Sequence, residues 1–309
     1  MGILISAEKK MSAWAILKRD KLLYILIAPS ILVVFFVSYL PLPGLVISFM
    51  DYDPFLKFKS PWVGFKNYID MVQMPMFTTS IWNTFKTSGL IMVIQFFVTV
   101  SFALLLNELK NGFFKKLSQT VSSLPFFLSW ISVIGMTVSL YSPYGPINDL
   151  IVFLSGGKAE RTLFLAEQSL FLPNVILLSL WKNVGYASIL YLATLTSIDP
   201  QLYEAAYMDG AGRFKQMVHI TLPGLMPTAV MVMILAVGSL ADDNFQLIYG
   251  LQNPFIDYEV IGTVVFKQGI QQGQYSITTA LGLAQGFVSF SLILIANKLA
   301  KKFAEISLF

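Results

Sequence analysis

Cysteine is absent from this 309-residue chain, and histidine occurs once, at His219. Without cysteine the chain excludes thiol catalysis, disulfide scaffolds, cysteine-ligated zinc and iron–sulfur clusters. A single histidine also excludes a metal site built mainly from imidazole groups. We therefore expect this chain to bind no metal.

Charged residues are scarce as well. They make up 12% of the chain, about half of the usual share in a soluble domain. Apolar residues reach 56%, with 26 phenylalanines, and a soluble core of this size cannot bury so much apolar surface. Disordered and collagen-like chains have other compositions. The composition predicts an all-α membrane protein with several spans.

The chain contains six uncharged or nearly uncharged runs that are long enough to cross a bilayer. A bilayer core of about 30 Å requires about 20 residues of helix. Pro125 predicts a kink in the third run. Residues 1–21 form an N-terminal segment, residues 22–297 the transmembrane domain and residues 298–309 a tail. The six predicted spans cover residues 22–42, 87–106, 117–141, 171–196, 224–250 and 277–297.

Lysine and arginine favour one side of these spans. Most of them lie in the N-terminal segment, in the connections after spans two and four, and in the tail. Such residues are enriched on the cytoplasmic side of membranes, so we predict that both termini are cytoplasmic. The first apolar run exceeds a secretory signal in length and no A-x-A-like cleavage site follows it, which indicates an uncleaved span.

The connection after span four, residues 199–223, carries an ordered set of helix signals. Asp199 suits a helix N-cap and Pro200 its first turn, so a short helix over 201–209 is predicted. Gly210 suits the left-handed residue that ends it. We expect a second short helix over 214–220, after which residues 221–223 return the chain to the bilayer. Small residues let another protein's backbone approach here: Ala205, Ala206, Gly210 and Ala211.

The spacing in this connection matches the EAA motif at all seven positions, which are Glu204-Ala205-Ala206, Gly210, Ile220 and Leu222-Pro223. The chain therefore resembles the permease subunits of binding-protein-dependent ABC importers. The resemblance implies a type I ABC importer permease fold in which this loop, the coupling loop, sits in a groove of an ATPase subunit. It implies that Glu204 faces the ATPase and that Gly210 makes the turn. The residues assigned to coupling are Glu204, Ala205, Ala206, Gly210, Ala211, Ile220, Leu222 and Pro223.

Other segments extend the resemblance to sugar transport. The run Trp181-Lys182-Asn183-Val184-Gly185-Tyr186 in span four is similar to the maltose-type group of carbohydrate-uptake permeases. The run from Tyr275 to Leu283 is similar to polysaccharide or oligosaccharide permeases often called LplB-like. The resemblance implies import of an oligosaccharide or glycan fragment.

The same resemblance implies a set of partners in the cytoplasmic membrane of a bacterium. They are a second permease that is a different homologous chain, two cytoplasmic ABC ATPases and an external solute-binding protein; no nucleic acid is expected. Gly157-Lys158 is followed by Ala159, so the chain has no Walker A motif. We therefore expect a non-catalytic subunit without a cofactor of its own, with ATP and Mg²⁺ on the ATPases.

Polar residues inside the predicted spans are candidates for the substrate pathway, because charge at membrane depth is costly and usually lines a cavity. Lys182 lies about ten residues into span four, roughly 15 Å deep. Lys182, Asn183 and Tyr186 are predicted to share one polar face, which either lines the pathway or anchors a neighbouring helix. Asp242 and Asp243 lie at the outer end of span five, where they serve either as an outer gate or as ordinary interfacial residues.

Aromatic residues near these positions can stack on sugar rings, but packing against lipid or protein is the more frequent role of such residues. The candidates are Phe126, Phe127, Trp130, Trp181, Tyr186 and Tyr191. In span six, Gly282 and Gly286 form a Gly-x-x-x-Gly pair that suits a subunit interface or an intrachain contact.

Two other functions stay open from sequence. One is a permease of an ABC importer for another small solute, which also carries an EAA loop. The other is a self-sufficient secondary transporter or membrane enzyme. Spans one to three and four to six show no convincing internal repeat, and an Asp-Asp-x-x-Asp pattern fails at Gln246.

Overall fold

The computed structural model describes residues 20–109, 112–240 and 244–304. Apart from an isolated bridge between Met50 and Trp62, the ordered backbone of this part is helical. Its α-helices are α1 (Lys21–Val34), α2 (Lys66–Gln73), α3 (Pro75–Glu108), α4 (Phe113–Ser123), α5 (Trp130–Leu140), α6 (Pro146–Leu154), α7 (Gln168–Thr196), α8 (Pro200–Met208), α9 (Arg213–Gln216), α10 (Leu222–Gly238), α11 (Phe245–Leu251), α12 (Ile261–Val264) and α13 (Tyr275–Ala304). Short 3₁₀ segments lie at Leu42–Phe49, Lys57–Lys59 and Leu124–Phe127, and π-helical turns at Phe35–Tyr39, Met217–Thr221 and Val265–Gln271.

All six predicted spans correspond to helical segments. In the described part of the chain, five unbroken helical runs are long and apolar enough to cross a membrane, and a bent pair makes a sixth candidate. The runs extend beyond the predicted bounds at several ends, as for α3, which begins at Pro75. The all-helical architecture predicted from composition is confirmed.

The third predicted span, residues 117–141, is broken rather than kinked. The run Phe113–Phe127 and α5 meet at 101°. Pro125 has no N–H to continue an α-helix, so the chain tightens into a 3₁₀ turn before it changes direction. Ser129 then caps α5, because its Oγ accepts the backbone N–H of Ser132 at 3.2 Å.

The fifth predicted span, residues 224–250, has different bounds at both ends. Its helix starts at Arg213, passes through the π-helical turn Met217–Thr221 and ends at Gly238. Residues 221–223, which were predicted to return the chain to the bilayer, are part of this continuous helix, and the predicted length after Gly238 is wrong. The chain starts a separate helix, α11, after Asn244, whose φ of 49° interrupts any helix.

The core of the bundle is built around α3 and α7, which pack side by side. Near the coupling loop, the ends of both helices pack with the start of α10 in one apolar cluster. Near the opposite end of α7, a second cluster joins Ile91 in the middle of α3 to α11 and residues 256–260. A third cluster joins α2 and α3 to α12 and α13.

Helix α1 stands apart from this core. None of its residues is buried by the rest of the described chain. The segment Leu42–Phe49 that follows it packs against α13 and α2 instead. Thus α1 leaves its apolar surface open to lipid or to another subunit.

Candidate functional site

The first helix of the coupling loop, α8, is bounded by two local caps. At its start, Oδ1 of Asp199 accepts the N–H of Gln201 at 2.9 Å. At its end, Gly210 has a φ of 76°. The N–H of Gly210 donates to the carbonyl of Tyr207 at 3.0 Å, and that of Ala211 donates to Ala206 at 2.9 Å. This is the glycine-terminated helix end that the spacing predicted.

Half of the eight predicted coupling residues are exposed, and none is buried. Glu204, Ala205, Gly210 and Pro223 are exposed, whereas Ala206, Ala211, Ile220 and Leu222 are half-buried. No residue of α8 is buried. Large apolar side chains also project from the loop, with exposed fractions of 75% for Tyr207, 84% for Met208 and 74% for Phe214. An uncovered apolar surface of this kind is typical of a protein–protein contact site.

Polar contacts tie the coupling loop to the membrane helices. The hydroxyl of Tyr203 lies 3.0 Å from Oγ1 of Thr221, which joins α8 to the base of α10. Arg213 approaches Glu108 at the end of α3 with a separation of 3.5 Å. Gly224 packs closely against Ile198: a Cβ added at Gly224 would lie 2.7 Å from Cδ1 of Ile198. Movement of the loop would therefore be passed to α3, α7 and α10.

Inside the bundle, a cavity of about 230 Å³ lies between α3, α7 and α10. Its described wall mixes apolar residues with uncharged hydrogen-bonding groups, and it contains no charged side chain. The polar groups are Ser88, Gln95, Thr99, Asn183, Tyr191, Ser239 and Asn244. Such a wall can exchange hydrogen bonds with a hydroxyl-rich solute.

Thr99 is a polar group of this wall whose hydroxyl has no hydrogen-bond partner within the described part of the protein. The residue is 2% exposed. Gln95 and Thr99 are four residues apart on α3, as are Asn183, Ala187 and Tyr191 on α7, so each helix presents one row to the cavity. Gln95 and Thr99 were not predicted from sequence, although two polar residues at helical spacing in an apolar run are a usable signal.

Lys182, Asn183 and Tyr186 have three different surroundings. Asn183 lines the cavity. Lys182 is 7% exposed and directs its Nζ to backbone carbonyls at the break between α4 and α5. Tyr186 stacks on Phe126 with 3.8 Å between ring centroids. The three residues therefore do not form the single polar face that was predicted.

The aromatic candidates divide in the same way. Tyr191 contributes to the cavity wall. Phe126, Trp130 and Tyr186 pack around the break in the third span. Phe127 and Trp181 are exposed on the outside of this chain. Asp242 and Asp243 lie outside the described residues.

Comparison with known proteins agrees with the resemblance drawn from the EAA spacing. Residues 95–304 match the family model described as "Binding-protein-dependent transport system inner membrane component". The chain is similar to the polygalacturonan/rhamnogalacturonan transport system permease protein YteP of Bacillus subtilis (strain 168), with 40% identity over 98% of this chain and 95% of that protein. It is equally similar, at 40% identity over 99% and 96%, to protein LplB of the same organism.

A solved structure has the same fold. It is that of a bacterial alginate ABC transporter in complex with an alginate pentasaccharide-bound periplasmic protein. One of its chains superposes on 96% of this chain with a TM-score of 0.86 and 32% sequence identity, and 99% of that chain is covered.

Proposed function

Because this chain belongs to the family of inner membrane components of binding-protein-dependent transport systems, we propose that it forms half of the pathway of an ABC importer for oligosaccharides or glycan fragments. Its place in the family makes it a multi-pass membrane protein and an ABC importer permease. The observation that carries the proposal is the complete EAA spacing on a loop whose first helix, α8, has no buried residue.

The cavity supports a saccharide as the transported solute. The hydrogen-bonding groups of its described wall are neutral, and Tyr191 adds a ring to the same wall as Asn183. Sugars present many hydroxyl groups and apolar C–H faces, which suit this combination. The named function of YteP and the alginate bound in the similar transporter point to the same solute class.

A second permease is needed to complete the pathway in this proposal. The cavity lies on one subunit, and the apolar surface of α1 is uncovered. On α13, a Cβ at Gly282 or Gly286 would meet no atom within 4 Å. The Gly-x-x-x-Gly pair is therefore free for an intersubunit contact, and we assign it to a different homologous permease chain.

The coupling loop is assigned to the ATPase contact. Two cytoplasmic ATPase subunits would each receive one such loop, and they would hold the ATP and Mg²⁺. In this arrangement both termini of the chain are cytoplasmic, and the external binding protein delivers sugar to the opposite side. Closure of the ATPases would move the coupling loop, and the contacts to α3 and α10 would carry that movement to the cavity.

The test is to co-purify the chain with a second permease and an ABC ATPase of the same bacterium, and to reconstitute them in vesicles. We expect the binding protein loaded with an oligosaccharide to stimulate ATP hydrolysis and sugar uptake. Uptake of a different solute class would favour the alternative importer. Uptake by this chain alone, without ATP, would favour a self-sufficient transporter and overturn the proposal.

A further inference from the structure

The elbow, residues 124–130, joins two helices inside the predicted third span. A helix ends with carbonyl groups that have no partner within the helix. In the bilayer core no water is present to satisfy them, so another protein group must do so. A break of 101° inside a predicted span therefore leaves carbonyls that need a hydrogen-bond donor from elsewhere in the protein.

Lys182 of α7 is that donor. Its Nζ donates to the carbonyls of Phe126 at 2.6 Å and Leu128 at 2.7 Å, and it lies 3.4 Å from that of Pro125. The carbonyl of Pro125 also accepts the backbone N–H of Leu128 at 3.1 Å, so the ammonium, which has three N–H donors, serves mainly the other two carbonyls. A positive charge at a helix C-terminus is also favoured by the helix dipole.

The elbow encloses this side chain. The rings of Phe126 and Trp130 lie on either side of the break, with centroids 5.4 and 5.3 Å from Nζ. Among the residues that the structure describes, no carboxylate forms a salt bridge with Lys182. The ammonium is thus held by backbone carbonyls and aromatic faces, and it is turned away from the cavity that Asn183 lines.

The elbow in turn determines where α11 lies. Helix α5 leaves the elbow and packs on α11, where a Cβ at Gly250 would sit 2.3 Å from Cδ1 of Ile134. Trp130 and Ile134 also pack against the apolar cluster that contains Leu247. Asn244, which immediately precedes α11, is part of the cavity wall. A continuous chain of contacts therefore runs from Lys182 to the cavity.

We infer that Lys182 is a positioning residue for transport: its ammonium holds the elbow at its angle and thereby places α5, α11 and Asn244 at the cavity. The residue does not contact the transported solute. This inference rests on the proposed function for the role of the cavity, but its structural part does not depend on which solute is carried.

The test measures the elbow directly in the assembled importer. Because the chain has no cysteine, spin labels can be attached at Val121→Cys on α4 and Met136→Cys on α5, which are both exposed. A second labelled pair, at Val93→Cys on α3 and Leu177→Cys on α7, serves as the control. Distances are measured by pulsed electron paramagnetic resonance without sugar or nucleotide.

We expect one narrow distance across the elbow with Lys182 present and a broad distribution in Lys182→Met. Lys182→Arg, which keeps the charge and the donors, should restore the narrow distance. The control pair should not change in any variant. Lys182→Met should also move less sugar per ATP hydrolysed.

An unchanged elbow distance in Lys182→Met would overturn the inference, even if transport were lost, because the residue would then act on the solute. If Lys182→Met does not insert into the membrane, Lys182→Gln is measured instead. Glutamine is one bond shorter than lysine and carries no charge, so it cannot reproduce the ammonium contacts to the carbonyls of Phe126 and Leu128. A broadened distribution in that variant supports the inference, and an unchanged one overturns it. If the elbow distances are as expected but the importer transports no sugar, the result contradicts the proposed function. It does not contradict the structural part of the inference.

Discussion

The coupling loop and the elbow both contain the end of a helix, but the two ends are capped in opposite ways. At the coupling loop, residues one and two positions beyond Asp209 return their N–H groups to the helix. At the elbow, the carbonyls of Phe126 and Leu128 accept hydrogen bonds from Lys182, which lies 56 and 54 residues further along the chain. The first cap is local and forms at the surface, and the second depends on tertiary packing in the interior.

The comparison shows what each region is suited to do. A locally capped helix keeps its shape while its outer surface is uncovered, so α8 can present side chains to another protein. A helix end capped from a distance is fixed only while its neighbour is in place. The elbow therefore couples the position of α7 to that of α5, and its geometry is sensitive to the contact between α7 and α4.

The largest expected effect is a loss of stability when a methyl group is added at the contact between α7 and α4. A Cβ at Gly185 would lie 1.9 Å from the carbonyl oxygen of Ser122, which is backbone and cannot move aside alone. We expect Gly185→Ala to force α7 and α4 apart, at a cost of about 1–3 kcal/mol or more. The measurement is thermal unfolding of the purified protein in detergent.

Gly282→Ala is the matched control, because Gly282 is also in a membrane helix and a Cβ there meets no atom within 4 Å. It should leave the unfolding temperature of the isolated chain unchanged. Equal unfolding temperatures for Gly185→Ala and the parent chain would show that the close contact of α4 with α7 does not limit stability.

The second largest effect is a loss of sugar uptake when the glycine cap at the end of α8 is removed. Proline at position 210 cannot adopt a φ of 76° and removes the N–H that donates to Tyr207. We expect Gly210→Pro to abolish sugar uptake while the chain still inserts into the membrane. Uptake into vesicles and the amount of inserted protein are measured together.

Gly212→Pro is the control for this change, since Gly212 in the same loop has a φ of −70°, which suits proline. It should retain most of the uptake. Normal uptake by Gly210→Pro would contradict the role assigned to the coupling loop.

The smallest effect is expected at the ion pair between Arg213 and Glu108. Its atoms are 3.5 Å apart and the side chains are 87% and 55% exposed. Such pairs contribute about 0–1 kcal/mol. In a double-mutant cycle with Arg213→Ala and Glu108→Ala, we expect a coupling energy near the lower end of that range. A coupling energy well above it would mean that this pair, rather than the packing of Gly224 against Ile198, joins the loop to the membrane helices.

Much of the coupling loop could be predicted from sequence because its structure is local. Asp199, Pro200 and Gly210 each act within a few residues of their own position, so residue type and spacing suffice. The predicted second short helix over 214–220 is not separate, because the π-helical turn Met217–Thr221 joins α9 to α10. No short pattern distinguishes that continuation from a turn.

The cavity was only partly predictable. Asn183 was selected as a polar residue in an apolar span, and the same criterion could have found Gln95 and Thr99. The criterion cannot tell which side of a helix faces the cavity. Lys182 and Asn183 are adjacent in sequence but face different neighbours, because successive helical residues point about 100° apart.

By itself the sequence determined that the chain is a helical membrane protein, that it has six apolar segments and that a glycine-capped loop with the EAA spacing follows the fourth. These properties depend on composition, hydropathy and contacts within a few residues. Only the tertiary structure decided that the third segment bends by 101°, that Lys182 caps the bend and that Asn183 faces the cavity. Those properties depend on which helix lies beside α7, and that choice results from packing between residues far apart in the chain.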